Sequence, residues 1–255
     1  MLTVQNVYDF INELAPFDTQ DAWDNSGLLL GDPASEVRGI HVALDCTEAV
    51  CAEAEQLGAN LIVTHHPVIF SGRKNLTERD PETMLLCRLV RSSIAVISAH
   101  TNFYMAQGGT KDTLAALIGL ENIRGEGCIR VGDLPSPMTA GELEALLSAR
   151  LNTVVRRMGP ANAPIRIVGM CSGGGSEFYA QTLELGAEAF ISGEIHHHHA
   201  LEAAARGMVC FECGHHATEE PGIFALADAL QNASNAVQWN VTVTKSQAEP
   251  YAFCP

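Results

Sequence analysis

EAEQLGANLIVTHH, residues 53–66, lines up with QTLELGAEAFISGE, residues 181–194, and this pairing decides how the chain folds. Each reads as a helix, a Leu-Gly-Ala turn, an apolar strand and a polar tip. A second pair, IAVISAH (94–100) and VCFECGH (209–215), repeats the pattern as an apolar strand ending in a small residue and a histidine. The offset of roughly 115 to 130 residues marks an internal duplication giving two similar α/β lobes. The lobes are expected at 1–124 and 125–255, with the last strand or helix free to pack back on the first.

Outward from these segments the same alternation continues. Helices are predicted over 4–14, 47–57, 81–91 and 111–118, and strands over 39–44, 60–63 and 94–98. In the second half, strands fall at 165–170, 189–191, 208–211 and 237–243, and helices at 178–185, 197–205 and 223–231. Residues 21–32 read as a turn-rich loop. Residues 125–164 read as a connection around one helix at 141–151. Alternating strands and helices with continuous apolar strands imply an α/β fold whose strands are buried on both faces.

The 255 residues carry 15 Lys+Arg against 30 Asp+Glu, a formal charge of −15, and are 47% hydrophobic and 18% charged. That composition excludes a disordered chain. Its negative charge disfavours nucleic acid and anionic membrane surfaces, because phosphates are repelled. The start lacks a basic n-region followed by an apolar run, and no stretch of about 18 apolar residues occurs, so no leader or membrane span is expected. The eight cysteines (46, 51, 87, 128, 171, 210, 213 and 254) lie mostly in apolar segments and read as buried thiols in a reducing compartment. The expected location is the cytoplasm.

Three strand tips carry histidines: His65-His66, His100 and His215-His216. Ligands of α/β sheets gather beyond the carboxyl ends of strands, so groups far apart in sequence can converge there. Glu219 stands four residues after His215, which places both on one face if a helix opens here. Imidazole with carboxylate suits zinc, iron, manganese or cobalt. Each piece alone also fits a plain role: a surface loop for the His pair, a solvated i,i+4 pair for His215 and Glu219. Glu194 and one or two of the run His196–His199 could line the same cavity, while the remaining histidines fit a solvated helix face. Cys210 and Cys213 have CxxC spacing without a second pair, so they read as structural thiols, with Cys213 close enough to support His215. CSGGGSEF (171–178) could form an anion-binding nest or simply a tight glycine turn.

THHP (64–67), AHTN with QGGTKD downstream (99–102, 107–112), CSGGGS (171–176), SGEI (192–195), GHHATE (214–219) and WDNSGLLLG (23–31) occur together in this chain. In this combination the sequence resembles the dinuclear-metal-centre proteins labelled GTP cyclohydrolase 1 type 2 homologs, over nearly its whole length. The resemblance implies two α/β lobes with a metal site in the cleft between them and assembly into a toroidal homohexamer. It implies His65, His66, His215 and Glu219 as metal ligands for one or two divalent ions per subunit, with no separate organic cofactor. The family's further ligand is an aspartate in a His-Thr-Asn-Leu-Asp segment. Here the segment is His100-Thr101-Asn102-Phe103-Tyr104, so Tyr104 stands at the carboxylate's place. A phenol of reference pKa about 10 must lose its proton to ligate, which implies a weakened, altered or lost metal position. The implied activity is metal-assisted hydrolysis of a purine nucleotide or related small molecule, with His100 as a general base or as a residue supporting the metal ligands. The alternative is a metal-binding scaffold or metal-handling hexamer without catalysis.

Overall fold

The computed structural model describes residues 1–248; Cys254, expected as a buried thiol, lies outside the described residues. Two compact units divide the chain, the first comprising Met1–Gly109 with the segment from Ile223 onward, the second Thr110–Gly222. The boundary expected at 124/125 falls inside the second unit.

The first unit contains α1 (Val4–Leu14), β1 (Gly27–Leu30), β2 (Gly39–Ala43), α2 (Glu48–Leu57), β3 (Leu61–Thr64), α3 (Pro81–Arg91), β4 (Ala95–Ser98) and α4 (Thr101–Met105). The second contains α5 (Thr110–Ile118), β5 (Glu121–Arg124), β6 (Arg130–Thr139), α6 (Ala140–Leu151), β7 (Arg156–Met158), β8 (Pro164–Cys171), α7 (Tyr179–Glu184), β9 (Ala189–Ser192), α8 (His197–Ala205) and β10 (Val209–Glu212). Helix α9 (His215–Ala236) begins in the second unit and ends in the first, which also takes β11 (Thr242–Lys245). The first sheet has the order β1-β4-β3-β2-β11 and the second β5-β6-β8-β9-β10-β7.

The expected duplication is visible as topology. In one unit β2, β3 and β4 are parallel neighbours and β1, preceding them in sequence, pairs antiparallel with β4. In the other, β8, β9 and β10 are parallel neighbours and β7, preceding them, pairs antiparallel with β10. The outer neighbours differ: β11 runs parallel to β2, whereas β6 runs antiparallel to β8.

Period-two alternation explains why the first unit's strands are continuously apolar. Ile40, Val42, Leu61, Val63, Ala95 and Ile97 face one cluster, with Val7 and Ile11 of α1 and Leu226 and Leu230 of α9. Ile62 and Val96 face the other, with Cys51 and Ala54 of α2 and Leu86 and Leu89 of α3. A strand covered on both faces has no polar side to show.

Several expectations need correction. The loop at 21–32 contains β1, and the connection at 125–164 contains β6 and β7 as well as α6. Pro135 and Pro137 read as strand breakers, but the β6–β8 register shifts between Asp133 and Met138, and such an irregularity accommodates residues that cannot donate to a ladder. Helix 223–231 instead starts at His215 and passes through Pro221. The strand expected at 237–243 is Thr242–Lys245. Among the described residues, no helix is long and apolar enough to cross a membrane.

His41, without a role in the sequence reading, is a buried strut. It sits in β2 at 1% exposure, with Nδ1 2.8 Å from Thr244 Oγ1 of β11 and Nε2 3.0 Å from Glu53 Oε2 of α2. Burial lowers its pKa, partly opposed by the hydrogen bond and charge of Glu53. A histidine kept neutral in the fold must be charged as pH falls below its unfolded value of about 6.5, so stability present above that pH is lost on acidification toward the lower folded value. Glu53, its own pKa lowered, acts at more acid pH. The expected result is a denaturant midpoint that drops as pH falls below about 6.5, with a shallower drop in His41→Asn, measured by urea unfolding across pH 5 to 7.5.

Candidate metal centre

The chemistry-bearing side chains of the first unit lie at the carboxyl ends of its parallel strands. After β3, the backbone N–H groups of His65 and His66 both donate to the Leu44 carbonyl, at 3.1 and 3.0 Å. The Thr64 hydroxyl donates back to the His66 carbonyl at 2.8 Å, which closes the tip. After β4, the Ala99 N–H donates to the Thr64 carbonyl at 2.8 Å and the chain enters α4 with His100 as its N-cap. These anchors place ligand atoms of His65, His66 and His100 within 4.8 Å of one another.

The rings are oriented through one nitrogen each. His65 Nδ1 lies 2.8 Å from the Ala99 carbonyl, His66 Nδ1 2.7 Å from Asp45 Oδ1 and His100 Nδ1 2.8 Å from Asp24 Oδ1. A carbonyl or carboxylate oxygen only accepts, so each Nδ1 carries a proton, and in the neutral form of each ring the lone pair lies on Nε2. Asp24 is itself held on several sides. It accepts from the Ser26 hydroxyl at 2.9 Å and from the N–H and hydroxyl of Thr101 at 3.0 and 2.5 Å. Burial pushes its pKa up, but the donors from His100 and Thr101 outweigh that and hold the carboxyl well below the usual range. The carboxylate is therefore ionised and fixed. Trp23 and Phe70 approach the His100 ring edge-on, with centroids 5.8 and 6.1 Å away.

The second unit repeats the arrangement at its own strand tips. His215, opening α9 after β10, places Nδ1 3.0 Å from Glu194 Oε1, which follows β9, and Nε2 3.0 Å from Glu219 Oε2. The i,i+4 step on one helix face puts imidazole and carboxylate side by side, as the sequence predicts. Glu219 is buried at 3% exposure. The glycine loop after β8 makes room for this pair. A Cβ on Gly173, whose φ is +62°, would fall on Glu219 Oε1, and the Gly173 N–H donates to the Thr218 hydroxyl at 3.0 Å. With that donor committed, the loop serves close packing under His215 and Glu219 at this position.

The remaining predicted residues sort as follows. Tyr104 is buried on α4, its N–H donating to the His100 carbonyl at 2.8 Å. His216 pairs with Glu220 at 3.5 Å. His196, His198 and His199 group with one another. Cys210 and Cys213 are buried, and burial pushes both thiols up to about 12, so they are protonated and structural. Asp45 was missed by the sequence reading. It follows β2, so the strand-tip rule that selects the histidines would have found it had carboxylates been scored alongside them. Asp24 lies within a quoted motif but had no role there.

The sequence profile of the Duf34/NIF3 (NGG1p interacting factor 3) family matches residues 2–251. A Clostridium perfringens protein named GTP cyclohydrolase 1 type 2 homolog is 28% identical, with 99% of this chain and 100% of that protein covered. A Campylobacter jejuni protein of the same name is 30% identical over 96% of this chain and 98% of that one. The Staphylococcus aureus protein SA1388 superposes with a TM-score of 0.93 at 26% identity, covering 99% of each chain.

The hydrogen-bond pattern makes a metal-free prediction. In nitrogen-15 NMR of the metal-stripped protein at pH 7.5, His65 is expected as the Nδ1–H tautomer, with an Nε2 shift typical of an unprotonated nitrogen. An Nε2–H tautomer would contradict the arrangement.

Proposed function

The chain belongs to the Duf34/NIF3 family, and on that premise we propose that it is a metal-dependent hydrolase acting on a purine nucleotide or a related small molecule. The supporting observation is that all four histidines 65, 66, 100 and 215 engage an oxygen acceptor through Nδ1. Metal-bound histidines are oriented this way, by a carboxylate or carbonyl on the other ring nitrogen. The donor set therefore fits divalent ions of the zinc, iron, manganese and cobalt group, one or two per subunit.

His65, His66, His215 and Glu219 would hold the ions. A divalent ion supplies Lewis acidity and makes water a usable nucleophile near neutral pH. Asp45, Asp24 and Glu194 hold the rings in the ligand tautomer, and the Ala99 carbonyl does the same for His65. His100 is the proposed general base. A proton taken up at its Nε2 makes an imidazolium, which the ionised Asp24 stabilises through Nδ1–H. The nucleotide substrate rests on the names of the relatives. Self-association into a ring of six subunits belongs to the same reading.

One residue favours a second reading. Tyr104 occupies the place of the aspartate in the family's motif, and a phenol must give up a proton to ligate where a carboxylate need not. A weakened metal position suits a chain that binds or handles ions without turnover. Incubating the metal-reconstituted protein with GTP, with His65→Ala alongside, separates the two. Hydrolysis is expected to stop on chelation and to fall at least a hundredfold in His65→Ala. Absence of turnover in the loaded protein favours metal handling. Turnover surviving both chelation and substitution would overturn the metal-dependent reading.

A further inference from the structure

The chain holds a second cluster of imidazoles, built on a different element. His196 is the N-cap of α8, and His198 and His199 follow in its first turn. Ligand nitrogens of these three lie within 4.8 Å of one another, and His197 is not a member of the group. The ring centroids of His198 and His199 are 4.1 Å apart, and the His196 ring stacks on His199 at 5.5 Å and 20°. His196 and His198 are exposed, and His199 is half-buried.

His199 is held in place from below. Its Nδ1 lies 2.8 Å from the hydroxyl of Ser176, which is 1% exposed, and its ring packs against Tyr179 with centroids 5.8 Å apart. Tyr179 is fixed in turn, its hydroxyl donating to Glu202 at 2.6 Å. The bond to Ser176 engages His199 through Nδ1 and holds the ring in place, which leaves Nε2 as its nitrogen for an ion.

We propose that His196, His198 and His199 form a second, solvent-facing site for a late divalent transition ion such as nickel, copper or zinc. Three imidazoles without a carboxylate in the group favour these ions over magnesium or calcium. Nitrogens bound to one tetrahedral ion at about 2.0–2.1 Å lie roughly 3.3 Å apart, so the cluster must contract by at most about 1.5 Å. Rotation of the exposed His196 and His198 about their own side-chain bonds supplies that, while His199 stays anchored. The N-terminus of α8 opposes a cation, and Glu202, four residues after His198 on the same helix, offsets it with a carboxylate. Open coordination positions remain on the solvent side, so the site can take an ion from solution and give it up again.

The test is nickel chloride titration of the full chain, followed by calorimetry and by metal counting after gel filtration. His196→Gln with His199→Gln is compared with wild type, both retaining residues 65, 66, 215 and 219. The double variant is expected to lose one nickel equivalent or to bind it at least tenfold more weakly, while His197→Gln binds as wild type does. Equal binding by the double variant and wild type would overturn the proposal. So would a loss in His197→Gln as large as in the double variant, which would mark a tag-like run without a defined site. Because only residues of α8 differ among these proteins, failure here is distinguishable from failure of the hydrolase reading.

Discussion

A hydrogen bond from imidazole Nδ1 to a fixed oxygen is the constraint on which the candidate centre depends. Left alone, a neutral histidine exchanges its proton between two nitrogens and rotates about two side-chain bonds. An acceptor on one nitrogen removes both freedoms together. His65 obtains its acceptor from a backbone carbonyl, whereas His66, His100 and His215 obtain theirs from carboxylates. The sheet supplies the positions of these acceptors. Asp45 follows β2, Ala99 follows β4, and Glu194 follows β9, each one strand away from the histidine it orients. Twist and register of the parallel strands thus become ring orientation.

The same constraint accounts for features that otherwise read as local detail. The Leu44 carbonyl accepting two successive N–H groups fixes where His65 and His66 leave β3. Gly173 is required because a side chain there would occupy the space of the Glu219 carboxylate, and Gly193 because its Cβ would lie 2.7 Å from the His215 Cα. A buried carboxylate such as Glu219 is costly unless its charge is met, and its Oε2 lies 3.0 Å from His215 Nε2, the nitrogen proposed to share a cation with it. Polar groups of this kind persist in a core where they have a task.

Much of this was legible in the sequence because strand tips announce themselves. LIVT, AVIS and VCFE are apolar runs that end in polar residues, and period-two burial against two helical layers makes them hard to misread. The i,i+4 step from His215 to Glu219 was equally plain. The repeat between residues 53–66 and 181–194 pointed to the two matching sets β2, β3, β4 and β8, β9, β10, whereas β1 and β7, which pair antiparallel with β4 and β10, read as loop and connection. Other parts were hidden for physical reasons. Pro135 and Pro137 signal a loop, and only the register irregularity in the β6–β8 pairing admits them to a strand. Pro221 signals a helix end, yet α9 continues through it, with Ile223, Leu226 and Leu230 of its later turns buried in the first unit's core. Asp45 and Asp24 were not recognised because carboxylates are common and nothing in their spacing separates an orienting one from a solvated one. Such a role appears only when the partner ring is in view.

The central claim is that Nε2 of His65, His66 and His215 is the ligand nitrogen. Anomalous diffraction at the zinc, iron, cobalt and manganese edges from crystals of the native protein tests it most directly. The account predicts anomalous density about 2.0–2.1 Å from Nε2 of His65, His66 and His215, with the Nδ1 contacts to Ala99, Asp45 and Glu194 retained. Density bonded to Nδ1 of these rings, or ions bound with no contact to them, would contradict it.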